Sequence, residues 1–226
     1  MILPSQRDTR YMLTLLLFLL LIAACSSPTS SPSPAATPAI PSTTVPLTDN
    51  FDPPNPAWAR FETEESAVYA QAGELYLEDR GKGIAVYAPL AGKVYTDTEV
   101  TVQVRHVQGT VNNWMGVICR QQDEDNYYLL AISADGFYLI LLVEDGRPTP
   151  LVGPETSDII RTGKARNDLE VRCAGDALSL WVNGERLVTH IDDTLYKAGT
   201  IALFADAVER GETSVTAFDN FTLTQP

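Results

Sequence analysis

Carboxylates are the first groups in the chain that could do chemistry, because two of them about 5–5.5 Å apart can cleave a glycosidic bond. Asp123, Glu124 and Asp125 cluster, as do Asp192 and Asp193. Both groups fall between apolar runs, where acidic residues serve as solvated turn formers. His106 and His190 are isolated, with no Ser nucleophile beside them and no His-Glu-x-x-His metal spacing. No catalytic residue is therefore assigned. Binding chemistry is better represented. Trp181 is out of phase with Leu180 and Val182, so its indole points away from the core those residues fill. Arg172 is out of phase with Val171 and Cys173, and Arg120 with Cys119. Arg105, Trp114 and Tyr138 are assigned to the same outer face. Flat aromatics beside guanidinium groups suit a ligand with apolar ring faces and many hydroxyls. The competing reading is that Trp181 covers the sheet and the Arg stems pack on it.

The elements that must position these residues are strands. Val111–Gly146 reads as three consecutive antiparallel runs, the first ending near Arg120, then Tyr127–Ser133 and Phe137–Val143, with Asp/Asn/Gly turns between them. Glu99–Val107 alternates, with Val100, Val102 and Val104 on one face and Thr101, Gln103 and Arg105 on the other. Asn167–Ala174 and Ala177–Val182 form a hairpin through Gly175-Asp176, and Asn183-Gly184 turns the chain into Glu185–Ile191. Ala67–Gln71, Glu74–Glu78, Gly83–Ala88, Gly199–Ala205 and Ser214–Leu223 complete the set, with a short strand at Thr149–Val152. Many short strands with regular turns and no amphipathic helix mean a β-sandwich or barrel.

The globular part begins near Leu47. Residues 1–24 read as a targeting segment: Arg7 and Arg10 precede an apolar run, Met12–Ile22, too short to span a bilayer comfortably. Ile22-Ala23-Ala24-Cys25 resembles the bacterial lipobox. That resemblance implies cleavage before Cys25, a diacylglycerol on its sulfur and an acyl group on its amine, which together make a stable membrane anchor. Without it, the segment is an ordinary secretory signal. Residues 25–46 are rich in Pro, Ser and Thr, with no charge or aromatic residue, and read as a disordered spacer. The formal charge of −13 argues against nucleic acid and against adsorption to anionic lipid.

The chain has 3 Cys. With Cys25 assigned to lipid, Cys119 and Cys173 remain. In an exported protein they read as a disulfide, closing a loop of about 54 residues worth roughly 4 kcal/mol. Two buried free thiols are the alternative. The bridge would set its two strands side by side in one sheet, bringing Arg120 next to Arg172.

Several short motifs then align with a family. Asp49-Asn50-Phe51-Asp52 with Trp58, Met115-Gly116-Val117, Asn126-Tyr127-Tyr128, Val182-Asn183-Gly184, Gly199-Thr200-Ile201-Ala202-Leu203 and Phe218-Asp219-Asn220-Phe221 occur in order across residues 47–226. In this the chain resembles the concanavalin A-like lectin/glucanase superfamily, including LamG-like domains and relatives of the 3-keto-disaccharide hydrolase (DUF1080) type. The resemblance implies a two-sheet antiparallel jelly-roll sandwich. It also implies pairing of the first and last strands, which would bring Asp49, Asp52 and Asp219 to a rim calcium site. The same Asp residues also read as turn caps. The leading expectation is a monomeric, non-catalytic domain that binds glycan or envelope polysaccharide, held by lipid on the extracytoplasmic side of a cell or outer membrane. The alternatives are a glycoside hydrolase or lyase of the keto-disaccharide type, and a protein-interaction module of an envelope complex. No cofactor is expected beyond that calcium.

Overall fold

The computed structural model describes residues 46–191 and 195–226. The expected targeting segment, Cys25, the expected spacer up to residue 45, Asp192 and Asp193 lie outside the described residues. Every regular element among the described residues is a strand. In chain order they are β1 (Leu47–Asp49), β2 (Phe61–Glu62), β3 (Ser66–Gln71), β4 (Glu74–Arg80), β5 (Ala85–Pro89), β6 (Thr98–Gln108), β7 (Asn113–Asp123) and β8 (Asn126–Ile132). Then follow β9 (Phe137–Glu144), β10 (Arg147–Thr156), β11 (Asn167–Ala174), β12 (Ala177–Val182), β13 (Glu185–Ile191), β14 (Thr200–Ala207) and β15 (Thr213–Thr224).

Two antiparallel sheets form a sandwich. The nine-stranded sheet runs β13-β12-β11-β6-β15-β4-β3-β2, with β1 paired to β15 through Leu47–Leu223 and Asp49–Phe221. The six-stranded sheet runs β10-β9-β8-β7-β14-β5. First and last strands do pair, as the family resemblance implies. The Asn183-Gly184 turn has φ of 53° and 84°, the left-handed pair that a two-residue hairpin needs. The expected short strand at Thr149–Val152 is instead the ten-residue β10, whose Pro148, Pro150 and Pro154 are tolerated because it is an edge.

Alternation builds the core. Val100, Val102 and Val104 of β6, Leu169 and Val171 of β11, and Leu178, Leu180 and Val182 of β12 face Met115, Val117, Tyr128, Leu130, Ile140 and Leu203 of the other sheet. A second apolar cluster, including Ile118, Leu129, Ala131, Ala202 and Phe204, lies on the opposite side of the six-stranded sheet.

The disulfide forms, with an S–S distance of 2.00 Å, but it does not lie within a sheet. Cys119 belongs to β7 and Cys173 to β11, so the bond crosses the core and joins the two layers. Both residues are inward-facing and fully buried, and a bond between neighbours in one sheet would have required the same face of adjacent strands. The meander β7-β8-β9 is thus one part of the six-stranded sheet and not a neighbour of β11.

The chain is irregular just after Cys119. Arg120 has a φ of 52°, and the β7–β8 register shifts between Cys119 and Asp123. Such a bulge inserts an unpaired residue and re-aims its side chain. Gly199 is packed against it: a Cβ there would sit 2.2 Å from the Arg120 carbonyl carbon and 2.5 Å from the Gln121 nitrogen. No residue with a side chain fits at that position.

Candidate functional site

The outer face of the nine-stranded sheet carries the side chains that alternation directs away from the core. On β6 these are Glu99, Thr101, Gln103 and Arg105, on β11 Asp168, Glu170 and Arg172, and on β12 Ser179 and Trp181. Register fixes who meets whom. Trp181 stands opposite Glu170 on one side and Arg186 on the other, and Arg172 stands between Ser179 and Glu99. The shift in β12–β13 pairing after Leu180 brings Thr189 beside Ser179, and their hydroxyls hydrogen-bond at 2.9 Å.

These residues enclose a groove of about 340 Å³ lined by Arg172, Ala174, Ala177, Ser179, Trp181, Arg186 and Thr189. Small Ala174 and Ala177 leave the floor open, and half-buried Trp181 supplies a flat wall. Arg172 reaches a carboxylate at 4.0 Å, that of Glu99, with 44% of its side chain exposed. Exposed Arg186 has no hydrogen-bond or ion-pair partner among the described residues. A neighbouring hollow of about 310 Å³ is lined by Thr101, Gln103, Asp168, Glu170, Gly184 and Asn220, among others, and has two carboxylates and no cation. Burial and nearby Glu99 push the Glu170 carboxyl up, while Arg172 pulls it down.

The other end of this face is internally satisfied. Arg105 forks onto Glu74, with Nε donating to Oε1 at 3.0 Å and Nη2 to Oε2 at 2.6 Å. Arg166 donates to Glu74 Oε1 at 2.7 Å and to Asp219 Oδ2 at 3.2 Å, and the Tyr76 hydroxyl donates to Glu74 Oε2 at 2.7 Å. The Arg105 hydrogen bonds hold the Glu74 carboxyl below its ordinary range against the opposing effect of burial, with help from Tyr76 and Arg166. Tyr76 stacks on Tyr69, with ring centroids 5.2 Å apart and planes 3° from parallel. This carboxylate is a hub for two cations.

The structure separates the sequence-assigned residues. Arg172 and Trp181 share the groove, and Arg105 lies on the same face within the Glu74 network. The other three assignments are corrected. Arg120 is turned inward by its bulge and is only 2% exposed, donating to the carbonyls of Thr96, Tyr196 and Gly175 at 3.3, 3.4 and 2.9 Å. It lies on the other sheet from Arg172, not on a neighbouring strand. Tyr138 faces the core with Ile140, and its hydroxyl donates to Glu155 at 2.7 Å; that hydrogen bond, with burial, raises it to about 12. Trp114 packs on the outer cluster of the six-stranded sheet, across the sandwich from Trp181.

The three calcium candidates do not converge. Asp49 accepts from the Phe51 backbone at 2.7 Å, from Asn55 at 2.8 Å and from Trp58 Nε1 at 2.9 Å. Asp52 shares a hollow of about 680 Å³ with Asp49, whereas Asp219 is tied to Arg166. Among the described residues no group of three or more His, Cys, Asp or Glu is placed to hold a metal ion.

Two residues central to this face had no sequence assignment. Arg186 follows the Asn183-Gly184 turn, and that hairpin could have placed it opposite Trp181. Arg166 precedes β11 in a loop, where no periodicity tells direction.

No family model matches the chain, and no curated protein matches it. Solved structures do. The carbohydrate-binding module CBM66 from Bacillus subtilis superposes with a TM-score of 0.60 at 15% identity, over 75% of this chain and 96% of that one. The cellulose-induced protein Cip1 gives 0.57 at 12% identity, over 80% of this chain and 97% of that one. A xylan β-1,4-xylosidase from Bacillus halodurans C-125 gives 0.57 at 13% identity, over 84% of this chain but 41% of that one. At these identities the likeness is one of fold: an all-β sandwich of two antiparallel sheets.

Proposed function

We propose that the chain is an exported, lipid-anchored protein whose sandwich binds a glycan on the extracytoplasmic side of the membrane without cleaving it. One observation carries the reading: half-buried Trp181 walls an open groove between Arg172 and Arg186, and neither cation is saturated by the protein. An indole presents a flat apolar surface to the C–H face of a sugar ring, and guanidinium groups donate to its hydroxyls in fixed directions. The solved sandwiches of similar shape include a protein named as a carbohydrate-binding module. A binding role is favoured over acid–base work because Glu74, the most buried carboxylate of this face, is engaged by Arg105 and Arg166.

The test is a glycan array followed by titration calorimetry on the full chain. Trp181→Ala should weaken binding at least tenfold, on the order of one lost stacking contact with its buried area. Its melting temperature should be nearly unchanged, because Trp181 points away from the core. No binding to any glycan, with Trp181→Ala silent, would sink the reading. For the anchor, Cys25→Ser should release the protein from membranes, and retention would refute lipidation.

A further inference from the structure

The groove differs in charge from the rest of the molecule. The chain has 29 acidic and 16 basic residues, yet the groove wall holds two arginines and no carboxylate. Glu99 stands opposite Arg172 on β6, and Glu170 stands opposite Trp181 and lines the neighbouring hollow. A neutral sugar would leave Arg186 without a counter-charge. Resting on the glycan reading above, we infer that the groove recognises an anionic sugar, one whose ring packs on Trp181 while its carboxylate or ester oxyanion is held by Arg186 and Arg172. Guanidinium is the side chain best suited to this, because its planar fork matches two oxygens at once. Ser179 and Thr189 continue the row from Arg172 across β12 and β13 and line the same groove, with hydroxyls for the ring. Glu170 repels an anion from the far side of Trp181, so the charged substituent is directed toward the arginines and the ring is oriented by sign as well as by shape.

The molecule's overall negative charge sharpens this. A polyanion is repelled at long range, so affinity must come from contacts within the groove and not from bulk attraction. Binding should therefore depend on the particular arginines, not on the number of cations elsewhere.

The experiment compares three probes on the full chain by calorimetry: an oligogalacturonate, its methyl ester, and a sulfated neutral oligosaccharide. The acid should bind at least about tenfold more tightly than the ester, the difference expected when a charged hydrogen-bonding partner is removed. Arg186→Gln should abolish that ratio without changing the melting temperature, and Arg186→Lys should restore part of it, keeping charge but losing the fork. At about 1 M salt, where the screening length is about 3 Å, the ratio should shrink. Binding of the sulfated probe alone would keep the inference and assign the charge to an ester. Equal binding of acid and ester would overturn it while leaving glycan binding intact. Binding of none of the three, with a neutral glycan bound instead, would overturn it in the same way, and failure of every glycan would remove both readings.

Discussion

Two arginines flank the same disulfide: Arg120 follows Cys119, and Arg172 precedes Cys173. Each alternates with an inward-facing cysteine, so each should point outward. Arg172 does, on a regular strand, with 44% of its side chain exposed and its nearest carboxylate at 4.0 Å. Arg120 does not. One left-handed residue turns its side chain inward, where it donates to three backbone carbonyls and sits 3.6 Å from Asp97. The same residue type, one bond from the same bridge, is structural in one layer and available to ligand in the other. Backbone geometry, not chemistry, makes that division.

The comparison can be tested from its strongest element downward. Replacing both Cys119 and Cys173 with Ser should cost about 4 kcal/mol in denaturant unfolding, the loop-closure value for a 54-residue separation. A loss under about 1 kcal/mol would mean the packed layers hold themselves together without the bridge.

Arg120→Ala comes next, at about 2–3 kcal/mol, because it strips charged hydrogen bonds from buried carbonyls. It should leave glycan affinity unchanged once the folded fraction is allowed for. If affinity fell and stability did not, the two arginines would have exchanged roles.

His106 extends the same rule to another inward residue. Its Nε2 donates to the Gly109 carbonyl at 3.0 Å, so Nδ1, 3.3 Å from Asn113 Nδ2, must be the acceptor in the neutral ring. The Asn113 Oδ1 is already engaged by the Ala134 backbone at 3.0 Å, so the amide cannot turn to accommodate a second proton. Burial lowers the His106 pKa, opposed by the Gly109 bond and assisted by Lys164. The unfolded chain therefore takes up the proton first, below about pH 6.5, and stability is lost as pH falls through that point. The slope approaches at most about 1.4 kcal/mol per pH unit for one proton. Thermal melts of His106→Gln between neutral and mildly acid pH should show less of this loss than the parent.

The smallest stability effect is at Arg172. Arg172→Ala should change unfolding by no more than about 0.5 kcal/mol, as for an exposed side chain with one long ion pair. It should still reduce the preference for an acidic sugar over its ester. A large stability loss would place Arg172 with Arg120 among the structural residues.

Much of this was legible in order along the chain. The alternation in Glu99–Val107 and Asn167–Val182 put Val and Leu inside and Arg172 and Trp181 outside, because a strand's side chains switch faces at every residue. The Asn183-Gly184 turn was readable because few other pairs accept two left-handed conformations. Alternation failed where the period broke, at the Arg120 bulge. It was also silent on which sheet a strand joins, so Trp114 and Trp181, both outward, came to lie on opposite sides of the sandwich. Arg166, in a loop, carried no phase at all.

The sequence alone determined the strands, their turns, the inward and outward residues of regular segments, and the cysteine pair. Those depend on local backbone preference and on burial of one face. Only the tertiary structure decided that the disulfide joins two layers, that Arg120 is enclosed, and that Arg172, Trp181 and Arg186 line one groove. Those depend on strand order and register, which are set by packing between residues far apart in the chain, and no local pattern encodes them.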